Sequence, residues 1–429
     1  MDELERAARR TFAPRLPVGD RRDPAAARSA VGARLRAGVG HSVLRDPVAA
    51  GRQAAQGAIA ALGGGSADFA LVFATEGYAH EALLGAIADA LPGARLSGCS
   101  AEGVIAGARS HEREHAVAVL AVRSAAVAFR PFLVESYGRD PAATGRAIAA
   151  ACADPAVGPL AAVVVLPDGL RGDAGALLDA LEGALPGSVP IVGGAAADAW
   201  RYERTQQFLD RRVASDAVAG FAIHGEVGVR IGVSHGCAPI GLERVITRAD
   251  RGWVEEIDGR PAWQVFREYL DAEPDHLDPE GVVYLALAST VEGPAGSRTL
   301  VVRTPSELDP ERGALFFAGG GLDAGVAVRL MRRDAALVRE SARACAEDLA
   351  VAAGHAAPSL VLQFDCAGRG RLLFGERTDA TILDPLRSAL GTDVPWIGFQ
   401  TFGEIAPVGG RARYHNYTVV FCALYEPPR

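Results

Sequence analysis

The sequence predicts an α/β protein with mixed sheets, built from repeated helix–strand–helix–strand–hairpin units and divided into two domains. Three observations support this class. Short apolar runs of strand length alternate with Ala-rich helical segments, the same order of elements occurs three times, and the 429 residues are 49% hydrophobic. A chain of that size buries more than one core. The internal repeat indicates three copies of one supersecondary unit.

The first copy begins with a helix over 47–62, which ends at Gly63, and a strand over 69–75. A helix over 80–91 stops before Pro92-Gly93, and a strand over 95–105 carries a glycine turn. The runs 116–122 and 127–134 are then expected to pair as a hairpin. Since the strand at 69–75 is apolar throughout, both faces of its sheet are expected to be covered.

The second copy repeats this order with a helix over 141–153, a strand over 161–169, a helix over 174–185 and a strand over 189–200. A hairpin is expected from 216–225 and 227–236. In the third copy, a helix over 334–353 precedes strands at 360–366, 394–405 and 417–426, with a helix near 379–390. We predict a disordered lead-in over 1–33, an N-terminal domain over 34–240 and a C-terminal domain over 241–429.

Composition excludes several functions. The net charge of −8 is spread along the chain, and no basic stripe interleaved with aromatic residues suits a nucleic acid. The chain contains no lysine, so P-loop and Schiff-base lysines are excluded. No apolar run reaches the ~20 residues that span a bilayer. Six scattered cysteines without a CxxC pair indicate reduced thiols and a cytoplasmic location, and no cofactor is indicated.

The strongest candidate site is a set of glycines followed by acids. Gly98 precedes Glu102 by four residues, Gly193 precedes Asp198 by five, and Gly398 precedes Glu404 by six. Glycines that leave a strand offer backbone N–H groups to a carboxylate, while the acids suit an ammonium group. Surface turns with solvated acids would give the same pattern. We predict a small-molecule site for an amino acid or related metabolite, made by Gly98, Cys99, Ser100, Glu102, Gly193, Gly194, Asp198, Arg369, Thr401 and Glu404.

Arg369 lies between two glycines after a buried strand, where it could clamp a carboxylate or simply lie at a helix end or on the surface. Cys99 or Cys366 could instead act as the nucleophile of a hydrolase or transferase, with His224, His235 or His415 as base, although no spacing pairs them. The run Gly319–Gly321 is too loosely spaced for a dinucleotide site.

The stretch HEREH (111–115) satisfies two zinc-protease signatures. Both signatures need a helix that brings the two histidines to one metal. Five residues between a glycine turn and the following strand are too few for that helix. The sequence therefore favours a polar entry to the hairpin expected from 116–122 and 127–134, and no metal site is predicted.

Several stretches resemble the FIST family: GCSAEGVI (98–105), GRPAWQVF (259–266), FDCAGRGRLLFG (364–375), GFQTFGEIAPVGG (398–410), YHNYTVV (414–420) and the entry AGVGHSVLRDPVAAGRQAA (37–55). The resemblance covers about 34–424, and the stretch at 398–410 with the downstream HNxT is its most specific part. It implies an N-terminal and a C-terminal FIST domain and a sensory, ligand-binding role in signal transduction. With both domains assigned, no fused output module is expected, so either a separate signalling partner protein carries the output or the role differs.

Overall fold

The structure is a computed structural model that describes residues 35–426, apart from 188, 271–284, 294, 295 and 297. The predicted lead-in over 1–33 lies outside the described residues. The α/β class with mixed sheets is confirmed, and the described residues contain eight α-helices and four sheets.

The first unit follows the expected order of elements. Its members are β1 (Arg36–Ser42), α1 (Pro47–Leu62), β2 (Phe69–Thr75), α2 (His80–Ala90), β3 (Arg95–Ala101), β4 (Gly103–Ala106), β5 (Arg109–Glu112) and β6 (Val117–Arg123). The Asp46 carboxylate caps α1 by accepting the Ala49 N–H at 2.7 Å, and Gly63 ends the helix with a left-handed φ of 91°. Small alanines on the buried face of α1 let it lie close to the sheet.

The second unit repeats these elements. It contains β7 (Val127–Glu135), α3 (Pro141–Cys152), β8 (Leu160–Pro167), α4 (Ala174–Ala184), β9 (Ile191–Ala195), β10 (Gln207–Leu209), β11 (Arg212–Ala214) and β12 (Ala217–Gly225). Asp140 and Asp173 cap α3 and α4 in the way that Asp46 caps α1.

The third unit is interrupted after its first strand, β13 (Gly228–His235), by residues 237–333, which we call the inserted body. Its elements are β14 (Cys237–Asp250), β15 (Trp253–Ile257), β16 (Arg260–Pro261), α5 (Ala262–Arg267), β17 (Leu285–Glu292), β18 (Arg298–Arg303), β19 (Glu307–Asp309), β20 (Ala314–Phe316) and β21 (Ala327–Arg333). These eight strands form a sheet of their own. The predicted division between 240 and 241 remains a prediction; the sheet topology sets residues 237–333 apart.

After the inserted body, the chain completes the third unit. The remaining elements are α6 (Ala335–Ala352), β22 (Leu360–Cys366), α7 (Arg371–Phe374), α8 (Asp384–Leu390), β23 (Trp396–Thr401), β24 (Gly403–Val408), β25 (Arg411–His415) and β26 (Thr418–Tyr425). No helix that the structure describes combines the length and hydropathy needed to cross a membrane.

The three units exchange their short hairpins in a closed cycle. The hairpin β10–β11 of the second unit joins the first unit's sheet beside β3, and β24–β25 of the third unit joins the second unit's sheet beside β9. The first unit's β4–β5 completes the cycle beside β23. Each six-stranded sheet therefore contains four strands of one unit and two of the next. This exchange brings segments that are far apart in sequence to one place.

Two hairpins predicted from the sequence are wrong. β6 pairs with β1 and β2, whereas β7 pairs with β12 in another sheet. Likewise β12 pairs with β7 and β8, whereas β13 pairs with β26. The short connections at these two points carry the chain from one unit's sheet to the next. A short connection permits a hairpin but does not require one when two sheets meet around a shared core.

The inner faces of the three sheets pack around one central apolar core. Phe73 of the first unit and Phe399 of the third stack there with ring centroids 4.4 Å apart. The helices cover the outer faces, so every residue of β2 and β22 is buried. The expectation that these strands are covered on both faces is confirmed.

Candidate ligand-binding site

A cleft of about 530 Å³ opens between the second unit, the third unit and the inserted body. Residues that line it include Asp168, Trp200, Tyr202, Ser306, Phe402 and Tyr417. Its volume lies within the ~300–1,000 Å³ typical of small-molecule sites. The cleft exists because the exchanged hairpin β24–β25 places third-unit residues beside the end of β8, and because the inserted body covers that corner.

One wall of the cleft is aromatic. The ring of Phe402 lies 5.3 Å from that of Tyr202 in a stacked arrangement and 5.6 Å from that of Trp200. Trp200 and Tyr202 are themselves 6.2 Å apart, edge to face. Such a group offers apolar surface and negative ring faces, which attract a cationic group.

The segment that carries this wall is held in a strained conformation. Ala199, Trp200 and Tyr202 have left-handed φ angles of 60°, 57° and 54°. The buried carboxylate of Asp198 accepts the N–H groups of Tyr202 at 3.0 Å, Glu203 at 2.7 Å and Arg204 at 3.0 Å. Non-glycine residues adopt this backbone region only when the surroundings impose it, and such residues cluster at ligand sites. Asp198 therefore positions the aromatic wall without lining the cleft.

Sequence reasoning missed Trp200, Tyr202 and Phe402. An available signal was the pair of large aromatic residues in the polar stretch DAWRYER (198–204) between two strands. Large aromatic side chains in a polar connection are either covered by another part of the chain or present a binding surface.

The glycines predicted to form turns lie within strands. Gly98 pairs with Val72 on one side and Phe208 on the other, and Gly193 pairs with Val165 and Ile405. The premise that these turns offer bare N–H donors is therefore wrong, because the ladders continue through both glycines. A Cβ on any of the three glycines would overlap a carbonyl oxygen of the adjacent parallel strand, on Val72, Val165 or Gln363. Glycine allows that close approach.

The acids do not occupy equivalent positions in the three units. Four residues beyond each glycine stand Glu102, Ala197 and Phe402. Asp198 and Glu404 lie one and two positions further along, and they have different partners. The pattern of a glycine followed by an acid is therefore not a repeated binding element.

Glu404 is fully buried and bonded within the fold. One carboxyl oxygen accepts the Thr401 hydroxyl, and the other accepts the Thr418 N–H at 3.1 Å and hydroxyl at 2.8 Å. Burial raises the pKa of Glu404 to about 8, so the group is mostly neutral near pH 7. Thr401, its partner, is the member of the predicted site that lines the cleft.

Arg369 does not face a ligand as the carboxylate clamp that the sequence suggested. Its Nε donates to Asp365 at 2.8 Å, and Nη1 donates to the carbonyls of Ser234 at 3.4 Å and Tyr417 at 3.3 Å. The side chain is fully buried, so its charge is neutralised inside the protein. Through Tyr417 it supports a turn that lines the cleft.

The other predicted residues form a buried junction between the first two units. The Ser100 hydroxyl donates to the Ala197 carbonyl at 2.7 Å and accepts the Gln206 N–H at 2.9 Å. Cys99 and Gly194 are buried in the strands on either side. These residues join the units and do not contact the cleft.

The thiols do not resemble activated nucleophiles. Cys99 is fully buried, and burial raises its pKa well above the ordinary value. Cys366 lines the cleft, but burial and the nearby Glu404 also raise its pKa. Its sulfur accepts the N–H groups of Gly368 and Tyr417.

The bonds at Cys366 repeat a structural pattern of the second unit. There the Asp168 carboxylate accepts the N–H groups of Leu170 and Asp216, each at 2.9 Å. Asp168 directly follows β8 and Cys366 ends the equivalent strand β22, each three residues beyond the partner of the strand glycine. The sulfur therefore occupies the position in the third unit that the turn-stabilising carboxylate occupies in the second.

The HEREH stretch forms a strand end and a turn and is not helical, but it does not lead into the predicted hairpin. His111 and Glu112 lie in β5, and His111 contacts Glu114 at 2.9 Å. No group of three potential metal ligands occurs among the residues that the structure describes.

The burial of Glu102 predicts that the stability of the protein depends on pH. It is buried, one of its carboxyl oxygens lacks a partner, and burial together with Glu112 and Asp198 raises its pKa to about 9, against the ordinary 4.5. Between these two pKa values, the folded protein keeps a proton on Glu102 that the unfolded chain releases. The free energy of unfolding therefore falls as the pH rises from 4.5 to about 9. We expect Glu102→Gln to reduce this fall, measured by melting temperature from pH 5 to 9. An exposed control, Glu340→Gln, should retain it; equal slopes in the two variants would contradict the assignment.

These observations define the class of protein: a three-unit α/β protein with a cleft of the volume typical of small-molecule sites. The FIST N domain matches residues 68–260 and the FIST C domain matches residues 262–407. The chain belongs to the FIST family, whose domains are associated with sensory signal transduction and ligand binding. The resemblance found in the sequence is thereby confirmed.

The chain aligns with nearly the full length of mycobacterial relatives. The chain is 32% identical over 397 residues to an uncharacterized protein of Mycobacterium tuberculosis, covering 90% of this chain and 98% of the relative. It is 30% identical over 392 residues to one of Mycobacterium bovis, covering 90% and 97%. A solved cyanuric acid hydrolase from A. caulinodans is 15% identical, covering 46% of this chain and 72% of that one. Its TM-score is 0.27, too low to inform fold or activity.

Proposed function

We propose that this protein is a bacterial cytoplasmic sensor that binds an amino acid or a related metabolite in the cleft. The observation that carries the proposal is the aromatic wall, which Asp198 holds ready in a strained conformation. Strain of this kind is maintained where a binding surface must be preorganised. The six buried thiols, all unpaired, support a reducing compartment.

Opposite charges at the cleft favour a zwitterionic ligand. Arg171 lies on the loop after β8, and Glu307 lies on β19 of the inserted body; both are exposed and line the cleft. The rings of Trp200 and Tyr202 add attraction for an ammonium group. A zwitterion entering between the two charges is oriented by them, although solvent screens each interaction.

The position of the cleft suggests how binding becomes a signal. A ligand inside it contacts both the three-unit part of the protein and the inserted body. Such a ligand favours the arrangement in which both surfaces are close, and thereby shifts the population of conformations. A separate signalling partner protein would then recognise that arrangement.

A thermal-shift screen of amino acids and related metabolites tests the proposal. A ligand at about 100 times its dissociation constant is expected to add ~2.7 kcal/mol of stability. Trp200→Ala should weaken the best ligand by about tenfold, since a cation over an aromatic ring contributes roughly 0.5–2 kcal/mol. Arg171→Gln and Glu307→Gln should each weaken it less, because both charges are exposed.

Matched controls distinguish a cleft effect from a change in net charge. Arg146 and Glu340 are exposed and lie outside the lining of the cleft. Arg146→Gln and Glu340→Gln should leave the affinity unchanged. A screen without a single stabilising compound, or a ligand whose affinity survives Trp200→Ala, would count against the proposed function.

A further inference from the structure

Arg303 is a buried cation beside the cleft that has no anionic partner among the described residues. Only 4% of the residue is exposed. Its Nη1 and Nη2 donate long hydrogen bonds to the carbonyls of Val302 at 3.4 Å and Gly319 at 3.3 Å, and its Nε has no partner. Burial lowers the pKa of Arg303 to about 10, which still leaves the guanidinium charged near neutral pH.

Arg303 differs from Arg369 in its lack of an acidic partner among the described residues. Arg369 is also buried, but its charge meets the Asp365 carboxylate at 2.8 Å. A buried charge is expensive unless an opposite charge and hydrogen bonds compensate it. Arg303 has only weak carbonyl bonds and the ring of Tyr414, whose centroid lies 5.9 Å from its Cζ. The fold therefore holds a guanidinium group whose natural partner, an oxyanion, is missing.

The groups around Arg303 belong to the cleft. Thr304, the next residue along the chain, lines it, and so do Tyr414 and Ala318, which precedes Gly319. The Gly319 carbonyl, which follows the lining residue Ala318, accepts a hydrogen bond from Nη2 of Arg303. This nitrogen therefore already has an acceptor beside the cleft.

The Gly319 carbonyl that contacts Arg303 belongs to the first residue of a run of three glycines. Gly319, Gly320 and Gly321 have left-handed φ angles of 88°, 67° and 79°. Gly319 lies so close to the Tyr414 ring that a Cβ would overlap it, whereas open space surrounds Gly321. A backbone without side chains can shift at small steric cost, so the Gly319 carbonyl can give way to a stronger acceptor.

We infer that Arg303 is the carboxylate-binding residue of the cleft, with the ligand's carboxylate replacing the Gly319 carbonyl on the guanidinium. The inference rests on the proposed function and specifies it: the ligand carries a carboxylate that reaches past the aromatic wall. Charge-assisted bonds from a guanidinium to a carboxylate are shorter and stronger than those to a carbonyl, and two can form in parallel.

Three probes that differ only in their charged group test the inference: 3-phenylpropionate, its amide and 3-phenylpropylamine, each measured by thermal shift and calorimetry on the full chain. The carboxylate should bind at least about tenfold more tightly than the amide, since a charge-assisted bond exceeds a neutral one by this order. Arg303→Met should abolish the difference, Arg303→Lys should keep part of it, and Arg171→Gln should change it less than Arg303→Met does. Equal binding of carboxylate and amide to the unaltered protein would overturn the inference.

Two further readouts separate folding from binding. Since Arg303 lacks a carboxylate partner, Arg303→Met should not lower the melting temperature of the unliganded protein; a large drop would assign Arg303 to the fold instead. An amino acid from the screen that binds the unaltered protein and Arg303→Met equally well would overturn the inference but leave the proposed function standing. If neither the probes nor any amino acid binds, the proposed function itself fails.

Discussion

Gly98→Ala is expected to destabilise the protein by about 3 kcal/mol or more, because strain in a tightly packed core reaches or exceeds that size. The new Cβ would overlap the Val72 carbonyl of the adjacent strand, and both strands are buried. Gly98 also pairs with Phe208 of the exchanged hairpin, so a displaced strand disturbs the second unit as well. Urea unfolding monitored by circular dichroism measures the change.

Gly183→Ala is the matched control for this substitution. Gly183 lies on the exposed side of α4, and no atom lies within 4 Å of a Cβ placed there. The same chemical change should leave stability unchanged or raise it by about 0.4–1 kcal/mol, because alanine restricts the unfolded chain. If both alanine variants unfolded at the same urea concentration, the close approach of the strands at Gly98 would make no difference to the free energy of unfolding.

The second large effect is expected from Asp198→Ala. Its buried carboxylate accepts three part-buried backbone N–H groups, and its removal leaves these donors without that partner in a segment of left-handed residues. We expect a loss of about 3 kcal/mol, since an unsatisfied buried donor costs roughly 1–3 kcal/mol and some donors will reach water. Ligand binding should fall together with stability, because Trp200 and Tyr202 lose their fixed positions.

Asp198→Asn and Asp173→Ala complete the comparison. Asparagine keeps one acceptor oxygen and should give an intermediate loss. Asp173 caps α4 by accepting the N–H groups of Gly175 and Ala176, so Asp173→Ala should cost about 1 kcal/mol and leave the ligand response intact. A full ligand response in Asp198→Ala would show that the aromatic wall does not depend on this carboxylate.

The predictions that succeeded depend on local chemistry. Asp46 and Pro47 begin a helix at the expected residue, and Gly63 ends it. The apolar runs at 69–75 and 360–366 become fully buried strands over the expected residues. These signals depend on neighbouring residues, which the sequence displays directly.

The predictions that failed depend on partners distant in sequence. The hairpin expected from 116–122 and 127–134 is absent because β6 and β7 belong to different sheets. The acids after the glycines looked alike, yet Glu404 bonds to threonines while Asp198 holds a loop. Whether a buried acid faces a ligand or another part of the chain depends on which strands become neighbours.

The class, the threefold repeat, many element boundaries and the family could be predicted from the sequence, because each of these leaves a periodic or local pattern. The position of the candidate cleft depends on the tertiary structure. The cyclic exchange of hairpins and the inserted body bring Trp200, Ser306 and Tyr417 to one cavity, although more than a hundred positions separate each from the next. Contacts between such distant residues leave no local sequence pattern, because they are stabilised by packing between units that are remote along the chain.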